Sequence, residues 1–296
     1  MDAIVIGAGT SGLAAVRALK QGGATVTALE ASSTPGGRIF GIHKQGYTLD
    51  LGAQFFFGFY DTTFRLCREL GLGDQIAPFP FRVGMWKDGK IYPVTASIEP
   101  KVIWDQRKDV LRYPLFSPSK ALRLSRLLLL LARRHRDLHF TDYQNALDLD
   151  GEDLARLTRR LSGEEVLEYL VQPVASCLTL GEPEDISAAY GMSLLWYALN
   201  GVSTLRRGIG ALTDRLFREC RDSVRLGTPA TRIVIEGGAV RGVETPEGFM
   251  QADRIVCSTT ATTALRLMPD LPPGLRAPLE KIRYSACCHV VFGLER

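Results

Sequence analysis

The residues whose types and spacing could do chemistry gather near the amino terminus: Gly7, Gly9 and Gly12, an acid at Glu30, then Gly36, Gly37 and Arg38. Glycines spaced G-x-G-x-x-G remove side chains where a backbone must turn or come close to something else. Gly7 suits a tight turn, Gly9 a close approach to a pyrophosphate, and Gly12 close packing of a helix on a strand. Thr10 and Ser11 fall inside the same turn and join the candidate contacts. A helix that starts there offers unbonded N–H groups and a partial positive charge to an anion. Glu30 follows Gly12 by 18 positions, near the spacing of about 20 expected for an acid that accepts hydrogen bonds from ribose hydroxyls. Its charge would repel a 2′-phosphate, which argues against NADP.

These groups need elements to hold them. Residues 3–6 are a continuous apolar run, as in a parallel strand buried on both faces. Residues 13–20 have helical character, Gly22 and Gly23 end the helix, and residues 24–29 read as a second strand that delivers Glu30. Strand, glycine turn, helix, strand and acid together read as a dinucleotide-binding unit. That fingerprint alone does not separate NAD from FAD.

The stretch "EASSTPGGRIF" goes further. With its second glycine pair, Gly36 and Gly37, followed by Arg38, the sequence resembles the flavin amine oxidase superfamily, which includes monoamine and polyamine oxidases, protoporphyrinogen oxidases and phytoene desaturase-like enzymes. The resemblance implies FAD, with Gly36, Gly37 and Arg38 at its diphosphate and Glu30 and Ala31 beside its ribose. "YTLDLGAQFFF" is similar to the family's segment that passes the flavin ring, at Gly52, Ala53, Gln54 and Phe55. Aligned through Pro229, the residue whose backbone meets adenine is Ala230. The place of the lysine that many amine oxidases carry near the flavin falls on His289. Protoporphyrinogen oxidase-like and desaturase-like members therefore fit better than an amine oxidase.

The implied fold is α/β: a Rossmann-like FAD-binding domain with an inserted α+β substrate domain. Its segments are expected at residues 1–76 and 201–265 for FAD, 77–200 for a helical substrate lobe, and 266–296 for the start of a substrate-domain sheet. Residues 86–92 read as a hairpin turning at Asp88-Gly89, and residues 224–260 as short strands turning at Gly237-Gly238 and Glu247-Gly248. Ser162 and Glu165 have capping-box spacing. The family continues well beyond the point matching Arg296. The resemblance thus implies a truncated chain, expected to hold FAD weakly and turn over little by itself.

Composition narrows the classes. The net charge of +4 makes no demand for nucleic acid. Six cysteines show no CxxC pair, which argues against a zinc site or disulfide framework and for a reducing, cytoplasmic setting. Residues 1–6 read as a strand rather than a signal peptide, and an apolar run such as residues 127–132 is far short of the roughly 20 residues a membrane span needs. In residues 120–136, Arg123, Arg126, Arg133 and Arg134 fall within an arc of about 100° on a helix otherwise rich in leucine. That pattern suits a helix packed with a solvated stripe, or peripheral membrane contact. The expected activity is hydride transfer from a lipophilic or aromatic substrate, at a C–N or C–C bond, to flavin. A non-catalytic dinucleotide-binding remnant is the competing reading.

Overall fold

The computed structural model describes residues 1–97, 99–113 and 118–293. At its centre is β1 (Asp2–Ile6), whose last four residues are buried. The chain turns at Gly7 into α1 (Thr10–Gln21), which buries Gly12, Leu13 and Val16. Gly22 caps that helix, Gly23 takes a left-handed φ of 80°, and the chain returns as β2 (Thr25–Leu29), parallel to β1. The sheet is completed from far along the chain: Val224–Arg225 pairs with β2 and Arg254–Cys257 pairs with β1, both parallel. Its order is Val224–Arg225, β2, β1, Arg254–Cys257.

Both faces of the sheet are covered, as apolar parallel strands require. On one face α1 and the helices Asp61–Glu69 and Gly210–Cys220 bury Leu13, Val16, Phe64, Leu212 and Leu216 together. On the other, Ile4, Ile6 and Leu29 meet Ile233 and Val243 of an antiparallel meander, Arg232–Glu236, Ala239–Thr245 and Gly248–Gln251. The first meander turn uses Gly237 and Gly238, both at positive φ, as expected. The second falls one residue earlier than expected, at Pro246-Glu247, because Gly248 already pairs with Thr245.

The remaining core is helical. The hairpin Phe81–Lys87/Lys90–Ala96 turns at Asp88 and Gly89, both with φ above zero, the geometry that matches strand twist. Helices Pro118–Arg134, Leu154–Ser162, Gln172–Thr179 and Ala188–Leu199 then pack around Leu131, Leu138, Leu157, Val171 and Met192. A three-stranded sheet, Phe56–Phe57, Val202–Leu205 and Ile76–Phe79, contributes to two cores. Phe56 and Leu205 join the first core, while Phe57 and Val202 join a cluster with Phe81 and Leu194.

Three local expectations change. Ser162 does not open a helix: it ends Leu154–Ser162, and its hydroxyl donates to the Arg123 carbonyl. Gly163, at φ 88°, separates it from the next helical turn, and Glu165 pairs instead with Lys120 at 2.9 Å. Arg134 does not belong to a solvated basic stripe. Its guanidinium donates to Asp148, Asp137 and the Asn145 carbonyl, and the carboxylates of Asp148 and Asp137 push its pKa upward. Residues 282–293 form no strand, since no neighbouring strand among the described residues takes up their backbone groups. Residues 294–296, the end of that expected sheet segment, lie outside the described residues.

Candidate functional site

The turn after β1 is fixed by what cannot fit there. Gly7 has φ 103°, and its N–H donates to the Leu29 carbonyl at 2.8 Å. A Cβ on Gly12 would lie 1.9 Å from the Gly7 carbonyl oxygen, so only glycine lets α1 start this close to the strand. Ser258, just past Arg254–Cys257, closes the turn from the other side: its hydroxyl donates to the Ile6 carbonyl at 2.9 Å. Sequence reasoning missed Ser258. Its only local signal is a small polar residue directly after an apolar strand.

Gly9 caps α1 without any side-chain hydrogen bond, so the first N–H groups of the helix have no side-chain partner. The glycine pair Gly36-Gly37 comes up against it. Gly9 and Gly36 form a parallel bridge, and the Gly36 N–H donates to the Ala8 carbonyl at 3.1 Å. A Cβ on Gly37 would stand 3.5 Å from the Gly9 Cα. The result is a cradle with bare backbone on two sides at a helix N-terminus, where Thr10 is half-buried and Ser11 exposed. Thr10 Oγ1 lies 2.9 Å from Thr213 Oγ1, and the Thr213 hydroxyl also donates to the Ile39 carbonyl at 3.2 Å. Three chain segments are thereby locked around the cradle.

Glu30 stands at the end of β2. Its Oε2 accepts from the Ala8 N–H at 2.7 Å and its Oε1 from the Ser32 N–H at 2.9 Å. A carboxylate has about four acceptor positions, so capacity remains for two hydroxyls. Ala31 beside it is exposed. The Thr228 N–H donates to the Glu30 carbonyl and the Gly227 N–H to the Ser32 carbonyl, which brings the segment leading to Ala230 alongside. Ala230 itself is half-buried against the meander core.

The line continues past the cradle. Arg38 is exposed, and a Cβ on Gly52 would lie 2.1 Å from its carbonyl oxygen, while the Ala53 N–H donates to that oxygen at 3.0 Å. Gln54 is exposed; Phe55 packs edge-on to Phe57, Phe79 and Phe81. His289 Nε2 lies 3.4 Å from Gln54 Nε2. Asp50, two residues before Gly52, accepts from the Ile209 and Gly210 N–H groups and so ties this segment to the helix Gly210–Cys220. Beyond Phe55 the rings of Phe59, Phe140 and Tyr197 cluster with centroids 4.1–5.1 Å apart, Phe140 stacked on both of the others and Phe59 tilted to Tyr197. Burial pushes the Tyr60, Tyr143, Tyr190 and Tyr197 hydroxyls up.

The predicted residues therefore form one elongated track: Ala230, Glu30, the Gly9/Gly36-Gly37 cradle, Arg38, Gly52, then Gln54 and Phe55. Bare backbone and a helix N-terminus suit a diphosphate, and the acid to one side suits a ribose. Among the described residues no group of histidine, cysteine and carboxylate side chains is arranged to hold a metal.

Comparison with known proteins gives the family and the fold. The family model for flavin-containing amine oxidoreductases matches residues 10–296. L-amino acid dehydrogenase of Synechocystis sp. is 24% identical over 317 residues, covering 100% of this chain and 64% of the relative. A zeta-carotene-forming phytoene desaturase of Myxococcus xanthus is 24% identical, covering 99% and 60%. The solved structure of cyclohexylamine oxidase from Brevibacterium oxydans superposes with a TM-score of 0.70 at 22% identity, covering 94% of this chain and 62% of that one. The chain thus spans less than two thirds of the length of these relatives.

Proposed function

The chain belongs to the flavin-containing amine oxidoreductase family, and from that membership we propose that it is the FAD-holding part of an oxidoreductase acting on an apolar or aromatic substrate. The observation that carries this reading is the cradle of Gly9, Gly36 and Gly37 at the start of α1, with the Glu30 carboxylate beside it. The residues fit FAD. The α1 N–H groups and the glycine backbone would hold the diphosphate, Arg38 would add charge, Glu30 would hold the ribose and Ala230 would meet the adenine. Gln54 and Phe55 would border the flavin. Bound FAD supplies a hydride acceptor, while the protein supplies position and electrostatics.

The chain's own residues then have definite tasks. Gly52 keeps the backbone low against Arg38, so residues 53–55 run close to whatever lies along the track. Phe55, Phe79 and Phe81 pack edge-on and make one wall apolar. The stacked rings beyond support an aromatic or lipophilic substrate over a small polar amine. A histidine beside Gln54, rather than a lysine, supports C–N or C–C bond oxidation of the protoporphyrinogen oxidase or desaturase kind over that of a classical amine oxidase.

Two further proposals belong to this reading. The FAD domain is discontinuous, built from residues 1–76 and 201–265 around a separate helical lobe. Support comes from Val224–Arg225 and Arg254–Cys257, which flank β1 and β2 in one sheet. The helix Pro118–Arg134 makes peripheral contact with an anionic lipid surface. Support comes from its outer face, where Leu122 is 65% and Leu129 49% exposed beside exposed Arg123, Arg126 and Arg133. No helix among the described residues is long and apolar enough to cross a membrane.

Visible absorption of the purified protein with added FAD tests the main reading. Flavin bands at saturating FAD, bleached slowly under anaerobic conditions by a porphyrinogen or carotenoid precursor, are the expected result. Bleaching only by primary amines would replace the substrate class. A protein that takes up no FAD would overturn the cofactor assignment.

A further inference from the structure

A cavity of about 160 Å³ opens on the helix Gly210–Cys220 and is separate from the track described above. It is lined by Arg207, Arg215, Arg218, His43, Asp214 and Gln75, together with two apolar residues. Positions 211, 214, 215 and 218 make one helical face by their spacing. That face is opposite the one where Thr213 meets Thr10 and the Cys220 thiol meets the Leu13 carbonyl. The cavity and the glycine cradle thus lie on different sides of one helix.

Three guanidinium groups and one carboxylate surround this small space. Arg215 is held in place: its Nε donates to the Leu70 carbonyl at 3.1 Å, and Glu219 lies 3.9 Å from its Nη2. Arg207, Arg218 and Asp214 have no side-chain hydrogen bond or ion pair among the described residues. His43 keeps its Nδ1 3.0 Å from the Thr48 hydroxyl, which leaves its Nε2 available. The excess of positive charge selects an anion, and arginine forks match tetrahedral oxyanions.

Gln75 borders the same space. Its backbone is fixed by the Arg206 N–H, which donates to the Gln75 carbonyl at 2.9 Å. A volume of about 160 Å³ has room for one tetrahedral oxyanion. The geometry points to an oxyanion-binding site in this cavity, taking phosphate or sulfate, free or at the end of a small monoester. It does not depend on the flavin reading.

Thermal unfolding at constant ionic strength tests it, with inorganic phosphate, sulfate, glycerol 3-phosphate and chloride titrated separately. The expected result is a saturable rise in Tm with the tetrahedral oxyanions at a midpoint at least about threefold below that for chloride. Arg207→Ala/Arg218→Ala should lose that part of the rise. A lower midpoint for glycerol 3-phosphate than for inorganic phosphate identifies an ester as the guest, and the reverse order identifies a free ion. An oxyanion response in the double arginine variant identical to the native one, or one no stronger than the response to chloride, would overturn the site.

Discussion

Glu30 has two tasks that one substitution can separate. Its carboxylate closes the turn by accepting from Ala8 and Ser32, and its remaining acceptor capacity faces the proposed ribose. Glu30→Ala should weaken FAD binding by about 1–3 kcal/mol, the cost of stranding hydrogen-bonding groups. It should also lower Tm, because the Ala8 and Ser32 N–H groups lose their partner. Glu30→Gln should recover part of both; a flavin titration beside a melting curve reads the two effects. Unchanged FAD affinity in a folded Glu30→Ala protein would remove this residue from the site. Gly12→Ala should cost about 1–3 kcal/mol or more, since its methyl must displace the Gly7 carbonyl. At this scale the sequence was readable wherever spacing is local. The three glycines, Glu30 and the Gly36-Gly37 pair stand close together in the chain, and their chemistry is a matter of which side chains are missing. Ser258 was not readable, because what defines it is a bond to Ile6 across 252 positions. The same holds for Asp50, whose partners Ile209 and Gly210 are 159 and 160 positions away.

Elements were legible in proportion to how far their own residues decide them. The hairpin at Asp88-Gly89 follows from two residues that tolerate positive φ between strand-forming runs. The Ser162–Glu165 spacing misled because the Ser162 hydroxyl was already engaged by Arg123, on a helix elsewhere in the chain. Arg134 misled for the same reason, its partners lying on the following turns. Asp50 gives a test of this coupling. Asp50→Ala should cost about 1–2 kcal/mol as a lost helix cap, seen as a lower urea midpoint. The helical lobe should also carry a signature at high pH. Burial pushes the Tyr113 hydroxyl up to about 12, so its neutral form is favoured in the folded state. That contribution is whole below the unfolded value of about 10 and is lost as pH rises from about 10 through 12, up to roughly 2–3 kcal/mol. Tyr113→Phe should flatten the fall in stability between pH 9 and 12, against which a native-like slope would count. The helix Pro118–Arg134 should sediment with vesicles only when they contain anionic lipid, and less so as salt rises. Sedimentation indifferent to both would leave it an ordinary packed helix.

The whole molecule depends on contacts between distant parts of the chain. β1 and β2 hold the fingerprint, but their sheet neighbours are Val224–Arg225 and Arg254–Cys257, and the helix covering α1 is Gly210–Cys220. Residues 1–76 expressed alone should therefore show no cooperative unfolding, although they contain nearly every proposed cofactor contact. A sharp melting transition from that piece would contradict the account. The arrangement also sets a schedule. The Asp2 N–H is satisfied by Asp253, 251 positions later. At ~5–20 residues per second of synthesis, β1 waits roughly 10–50 s for the strand that completes its edge. During that interval an apolar strand with unpaired backbone is exposed in the cell, since closing such a loop must precede any reward from the contact. The newborn amino terminus is thus a client for chaperones well before it can hold a cofactor. Slowing elongation over the middle of the chain should lower the soluble yield more than slowing it near the end.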